Sequence, residues 1–320
     1  MLAEIEISPW HWAGFVLCVL VFLALDLGVF HRQAHVVSFR EALGWTTVWF
    51  VTALSFALFV ARAVIPDWRV EESTEFITGY VIELSLSMDN VFVIALIFTY
   101  FGVPLHNQHR VLFWGILGAL LMRGLMIWLG AELIARFHWM LYVLGGFLVF
   151  TGIKMACSEE EGVEPEKNAV VRLVRRFFPI ASQFDGQKFI TRRDGRMMLT
   201  PLALVLVMVE TTDLIFAVDS IPAIFAVTEN PFIVFTSNVF AILGLRSLYF
   251  VLAGAIGYFR YLKVGLSIVL SVIGLKMLAA KWYHIPTSLA LMAVGSIIAL
   301  SIVASVWAAQ REKKRKGGSL

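Results

Sequence analysis

Nine long apolar runs are the strongest constraint on what this chain folds into. They cover roughly residues 10–30, 42–65, 77–101, 111–135, 138–156, 201–226, 232–257, 261–280 and 286–308. A helix rises 1.5 Å per residue, so about 20 apolar residues cross a hydrocarbon core about 30 Å thick. Each run is long enough, or nearly so. The runs are continuous rather than alternating, which excludes a transmembrane β-barrel. Composition agrees, since only 15% of residues are charged and mean hydropathy is +0.82, where soluble domains carry about 25% charged residues. A soluble globule, a disordered chain and a disulfide scaffold are therefore excluded. Cys18 and Cys157 form no CxxC and read neither as metal ligands nor as a disulfide. The first run does not read as a signal peptide, because Glu4 and Glu6 precede it, no Lys or Arg does, and no small-residue cleavage site follows.

Orientation follows from the basic residues. With the N-terminus outside, 18 Lys and Arg fall on the inner side and Arg62, Arg69, Arg136 and Lys281 on the outer side. The expected topology is N-terminus out and C-terminus in. Eight of the 18 lie between Lys167 and Arg196, in the one sizeable polar segment. That segment opens with Glu159, Glu160 and Glu161 and turns basic at Arg172, Arg175 and Arg176. It reads first as a solvated connector, with a regulatory or lipid-contacting arm as the alternative. The basic tail from Arg311 to Lys316 marks topology. No nucleic-acid motif accompanies it.

An internal repeat is visible. Ser87-Met88-Asp89-Asn90-Val91 aligns with Ala217-Val218-Asp219-Ser220-Ile221, and Glu83 with Asp213. Further on, Arg123 aligns with Arg246, and Gly152-Ile153-Lys154-Met155 with Gly274-Leu275-Lys276-Met277. The offsets are 130, 123 and 122. Each copy holds three spans, so the copies enter the bilayer from opposite sides. The expected architecture is an all-α polytopic membrane protein of about nine transmembrane helices with an inverted three-helix repeat. It divides into peripheral helices (1–75), a first repeat (76–156), a cytoplasmic loop (157–200), a second, inverted repeat (201–281) and a last helix with a basic tail (282–320).

Carboxylates inside the spans point to function. Glu83 and Asp89 lie in the third span, and Glu210, Asp213 and Asp219 in the sixth. Each costs roughly 2.5–3.5 kcal/mol at a helix centre, and five cost on the order of 12–17 if all are central, charged and unpaired. Arg123 and Arg246 are expected to offset part of that as supporting ion pairs. Protons or a bound cation must offset the rest. The companions Ser85, Ser87, Asn90, Thr211, Thr212, Ser220 and Asn238 all offer oxygen, and neither span holds Cys or His. Such a set suits Mn²⁺, Mg²⁺ or Ca²⁺ and disfavours Cu⁺ and Zn²⁺. Six residues apart, Glu83 and Asp89 are about 120° out of phase on a straight helix, as are Asp213 and Asp219. Either each span unwinds near its Asp, which Pro222 favours in the sixth, or the acids face different neighbours. Antiparallel spans would put Glu83 level with Asp219 and Asp89 level with Asp213, in layers about 9 Å apart.

Other polar residues carry less. The pairs His31/His35 and His106/His109 read as loop residues, and Asp26 as a partner of Arg32 or solvent. Trp10, Trp12, Trp68 and Trp282 read as interfacial belt residues. HExxH, a Walker loop and GxSxG are absent, so no enzyme and no resident cofactor is expected.

The stretch from Glu83 to Phe92 resembles the first signature of the TerC/Alx family of integral membrane proteins. The stretch from Glu210 to Ala223 is similar to its second, and Asn238–Arg246 matches as well. The resemblance spans about residues 10–310 and leans towards the Alx branch. It implies a bacterial inner-membrane protein linked to manganese homeostasis, with Mn²⁺ export as the expected activity, and kinship with the lysine-exporter superfamily. The expected metal-binding residues are Glu83, Asp89, Asn90, Glu210, Asp213, Asp219 and Ser220. The expected partners are a divalent cation, protons and the lipid bilayer. A Ca²⁺/H⁺ exchanger or channel, and a non-transport scaffold or assembly factor, remain as alternatives.

Overall fold

The computed structural model describes residues 7–25, 38–157, 168–193, 195–253, 261–283 and 285–317. Asp26, His31, Arg32, His35, Glu159, Glu160, Glu161 and Arg260 lie outside them.

Helix α1 (Pro9–Leu25) is followed by α2 (Phe39–Ser55), a single π turn (Phe56–Val60) and α3 (Ala61–Val64), which together make one continuous span. Ser38 starts α2 by accepting a hydrogen bond from Glu41 N at 3.3 Å. Then come α4 (Val70–Tyr100), α5 (Leu105–Arg136) and α6 (Met140–Cys157). A turn with Gly102 at φ +58° joins α4 to α5, a conformation that favours glycine. The amphipathic α7 (Ala169–Phe177) leads to a hairpin of β1 (Ile190–Arg193) and β2 (Arg196–Leu199), paired Ile190 to Leu199 through Arg193 to Arg196. Helices α8 (Pro201–Phe225), α9 (Pro231–Ala253), α10 (Leu262–Ala279) and α11 (Thr287–Gly317) complete the chain.

Eight helical stretches among the described residues are long and apolar enough to cross a membrane, and α1 adds a shorter apolar one. The fold is an all-α polytopic membrane protein, and among the described residues each of the nine apolar runs overlaps one of these nine helical stretches.

Helix α9 is wrapped almost entirely by protein, while α2, α6 and α11 bury one side only. Around α9 pack α2, α4 and α5; α8 packs on α4 and α5, α6 on α10, and α11 on α10 and α4. The first helix of each proposed triplet thus lies against the second helix of the other, and the triplets share one core. Two close approaches hold α6 to α10. A Cβ on Gly274 would sit 2.6 Å from the carbonyl oxygen of Gly145, and one on Gly152 2.7 Å from that of Ser267. Small residues let membrane helices touch backbone to backbone, where packing rather than water drives association. Phe15, Phe56, Phe76 and Phe240 pack in tilted and edge-to-face ring contacts that tie α1, the π turn, α4 and α9 together.

Residues 168–199 form a docked unit rather than a loose connector. Val171 is fully buried in the same apolar cluster as Leu202 and Val205 of α8. Asn107 Nδ2 at the start of α5 donates to the Gly186 carbonyl at 3.0 Å, and Gln187 Nε2 to the His106 carbonyl at 3.3 Å.

Candidate cation site

The polar centre lies where α4, α5, α8 and α9 meet. Arg123 projects from α5 and keeps only 2% of its exposure. It takes Asp213 of α8 in a fork, with Nη2 to Oδ1 at 2.9 Å and Nε to Oδ2 at 3.2 Å. Its Nη1 donates to Glu83 Oε1 on α4, to Ser220 Oγ at 3.3 Å and to Asn238 Oδ1 at 3.3 Å. Asn238 Nδ2 on α9 donates to Glu83 Oε2 at 3.1 Å, and Ser87 Oγ reaches Glu83 Oε1 at 3.5 Å. Asn90 Nδ2 donates to Asp213 Oδ1 at 3.2 Å. Four helices are cross-linked by one guanidinium and its partners. A guanidinium with five donors in a fixed plane suits this role, where an ammonium would not.

The other predicted residues are spread around this centre. Glu210 lies one turn from Asp213 on α8 and packs onto Gly118 of α5, where any side chain would overlap its carboxylate. Asp219 turns to α6 instead. Its carboxylate hydrogen-bonds the Thr151 side chain and feels the charge of Lys154. Asp89 is half-buried on α4. Arg246 is buried and lines a cavity with Ala42, Trp45 and Trp49 of α2, Ile116 of α5 and Ser247.

The expected layering is corrected, and one of the two routes left open for the phase difference is selected. Glu83 and Asp213 do not fall in separate layers; both hold the same guanidinium. No unwinding accompanies the acids: α4 and α8 are continuous through Asp89 and Asp219. Pro222 sits inside α8 close to its end, where one lost hydrogen bond does not break the helix. The phase difference is resolved by the second route, since Asp213 faces Arg123 and Asp219 faces α6. Arg123 acts as the expected supporting ion pair and serves two carboxylates, Glu83 and Asp213.

Gly118 was missed in the sequence. A glycine inside an apolar span carries no local sign that a carboxylate from another helix lies over it. Thr151 was missed for the same reason.

Chemically, the centre holds one cation against two carboxylates, with Glu210 close by. Two buried acceptors, Asn90 Oδ1 and Glu210 Oε2, have no hydrogen-bond partner. Buried acceptors without donors are rare and costly. Both flank Asp213. Among the described residues no three of His, Cys, Asp and Glu are grouped closely enough to hold a metal ion. The arrangement is a buried ion-pair network in which Arg123 supplies the positive charge.

A family model described as "Integral membrane protein TerC family" matches residues 68–315. The chain is 52% identical over 299 residues to an uncharacterized membrane protein, STKORF319, of Myxococcus xanthus, covering 93% of this chain and 92% of that one. It is 44% identical over 316 residues to Alx of Escherichia coli (strain K12), whose name describes it as a candidate membrane-bound redox modulator, covering 97% and 98% of the two chains. An uncharacterized membrane protein of Rickettsia felis is 37% identical over 295 residues, covering 92% and 97%. No solved structure matches. By the span of the family model and by these identities across nearly the full length, the chain belongs to the integral membrane protein TerC family.

Proposed function

We propose that the protein exports a divalent cation, Mn²⁺ first among candidates, from the bacterial cytoplasm in exchange for protons. The observation that carries this reading is the pair of buried acceptors beside Asp213. Asn90 Oδ1 and Glu210 Oε2 lack donors, and a hard cation bound beside Asp213 would supply the positive partner that oxygen acceptors of this kind take. The donors are oxygen throughout, which suits Mn²⁺ and Ca²⁺ better than thiophilic metals.

In the proposed cycle Arg123 is the resting counter-ion of Glu83 and Asp213. An arriving cation draws Asp213, Glu210 and Asn90 towards itself, and the guanidinium shifts onto Glu83 and Asn238. Burial favours neutral carboxylates and a divalent ion favours charged ones. Metal release and proton uptake are thereby linked, with no enzyme chemistry and no resident cofactor. Asp89 and Asp219 line the route on either side of the centre.

The inverted repeat belongs to the same proposal. Its 122-residue offset makes Gly152 equivalent to Gly274 and Gly145 to Ser267, and these four residues make the two matching α6–α10 contacts. The proposed orientation is N-terminus out and C-terminus in, from the distribution of Lys and Arg. A thiol-based redox role, suggested by the name of the Alx relatives, would have to use Cys18 and Cys157, which are free and exposed on α1 and α6.

The test is metal flux in proteoliposomes under an imposed pH gradient. Wild type is expected to move Mn²⁺ with the gradient, and Asp213→Asn, Asp219→Asn and Asp89→Asn to lose it. Normal flux in Asp89→Asn and Asp219→Asn together removes them from the site. Folded wild type with no flux of Mn²⁺ or Ca²⁺ turns the reading to the scaffold alternative.

A further inference from the structure

Helix α7 is divided into three lengthwise stripes. At about 100° per residue, Val171 and Val174 share one face, and α7 packs on α8 with Val171 fully buried. Val170, Leu173 and Phe177 fall within about 60° of each other on a second face. They are exposed, Leu173 by 55% and Phe177 by 69%. Arg172, Arg175 and Arg176 occupy the third face and are also exposed. The stripe is held in place at its start, because Asn168 Oδ1 accepts from Val170 N at 2.9 Å and Val171 N at 3.1 Å. Phe178, 55% exposed, extends it.

An aqueous surface gives no reason to hold such a stripe outward. The position of α7 does. Its buried face meets Leu202 and Val205, in the first turns of the span α8, so the stripe stands at the depth where the bilayer begins. A helix with apolar residues on one side and arginines on the other lies in the plane of the interface. The surrounding segment 168–193 carries three further basic residues, Lys188, Arg192 and Arg193, against the single acid Asp185.

We propose that α7 lies in the membrane interface, with Val170, Leu173 and Phe177 among the acyl chains and Arg172, Arg175 and Arg176 on the headgroups of anionic phospholipids. Neutral lipid would satisfy the apolar stripe alone; three clustered guanidiniums select for phosphate without a compensating headgroup cation. The helix then anchors the inner ends of α5 and α8 to the leaflet, through Val171 and the Asn107–Gly186 hydrogen bond.

The full-length protein, with Cys18→Ser and Cys157→Ser, is spin-labelled at Leu173→Cys or Arg175→Cys in bilayers of phosphatidylcholine and phosphatidylglycerol. The label at 173 is expected to collide with oxygen in preference to a water-soluble nickel chelate, and the label at 175 the reverse. A water-exposed label at 173 overturns the proposal. In a second measurement, lipid retained by the purified protein is identified by native mass spectrometry. Wild type is expected to prefer phosphatidylglycerol. Arg172→Gln, Arg175→Gln and Arg176→Gln together are expected to lower that preference by on the order of tenfold or more, given about fivefold per arginine near an anionic surface. An unchanged preference, or displacement of the lipid by inorganic phosphate, overturns the headgroup assignment. Neither readout depends on transport.

Discussion

Arg123 and Asp213 form a fork-to-fork pair across α5 and α8, with parallel contacts of 2.9 and 3.2 Å and almost no exposure on either side. A pair of this kind defines register as well as charge, since both contacts are lost if either helix slides by a fraction of a turn. Glu83 and Asn238 extend the same register to α4 and α9.

Removing Arg123 leaves two buried carboxylates without their cation. Arg123→Met is expected to destabilise the protein by about 3–5 kcal/mol, the range for breaking a buried ion pair from one side. Adding Glu83→Gln and Asp213→Asn to that variant should restore much of the loss. Thermal unfolding in detergent compares the three proteins, and a single variant as stable as wild type would remove the cross-linking role.

Glu210→Gln is expected to act in opposite directions on stability and on cation response. Its Oε2 is buried and unpartnered, so neutralising the group should leave the melting temperature unchanged or raise it. The Mn²⁺ concentration at the midpoint of stabilisation should rise about tenfold if one charged ligand is lost, roughly 1.4 kcal/mol. The melting curve is recorded with and without Mn²⁺. An unaltered midpoint would place Glu210 outside the site.

The α6–α10 contact predicts a contrast between two glycines one helix apart in setting. A Cβ on Gly274 meets the Gly145 carbonyl at 2.6 Å and Val149 N at 2.9 Å, both backbone atoms, whereas Gly146 has nothing within 4 Å. Gly274→Ala should cost about 1–3 kcal/mol through overpacking. Gly146→Ala should be neutral or slightly stabilising, as alanine favours helix. Equal melting temperatures for the two variants would contradict the close approach.

Asn107→Ala should loosen one region without touching the spans. It removes the 3.0 Å bond to the Gly186 carbonyl, worth about 1 kcal/mol net. Amide exchange is expected to quicken over residues 180–199 and to stay unchanged in α8 and α9. Uniform protection in both proteins would mean that the hairpin is held by its apolar contacts alone.

Much of this protein was written locally. The nine apolar runs fixed the helices and their approximate ends, because a backbone in hydrocarbon has to satisfy its hydrogen bonds within each segment. The intramembrane acids Glu83, Glu210 and Asp213, and Arg123, stood out for an equally local reason: each is expensive where it sits. What the chain alone left open was which of them meet. Whether Asp213 turned to Arg123 and Asp219 to α6, whether Arg123 took one carboxylate or two, and whether residues 168–199 were docked all depended on helix rotation and crossing. Those are set by contacts such as Gly145 with Gly274, Gly118 with Glu210 and Val171 with α8, between residues far apart in sequence. Hydropathy is a property of each segment; the direction a buried charge faces belongs to the packing of all of them.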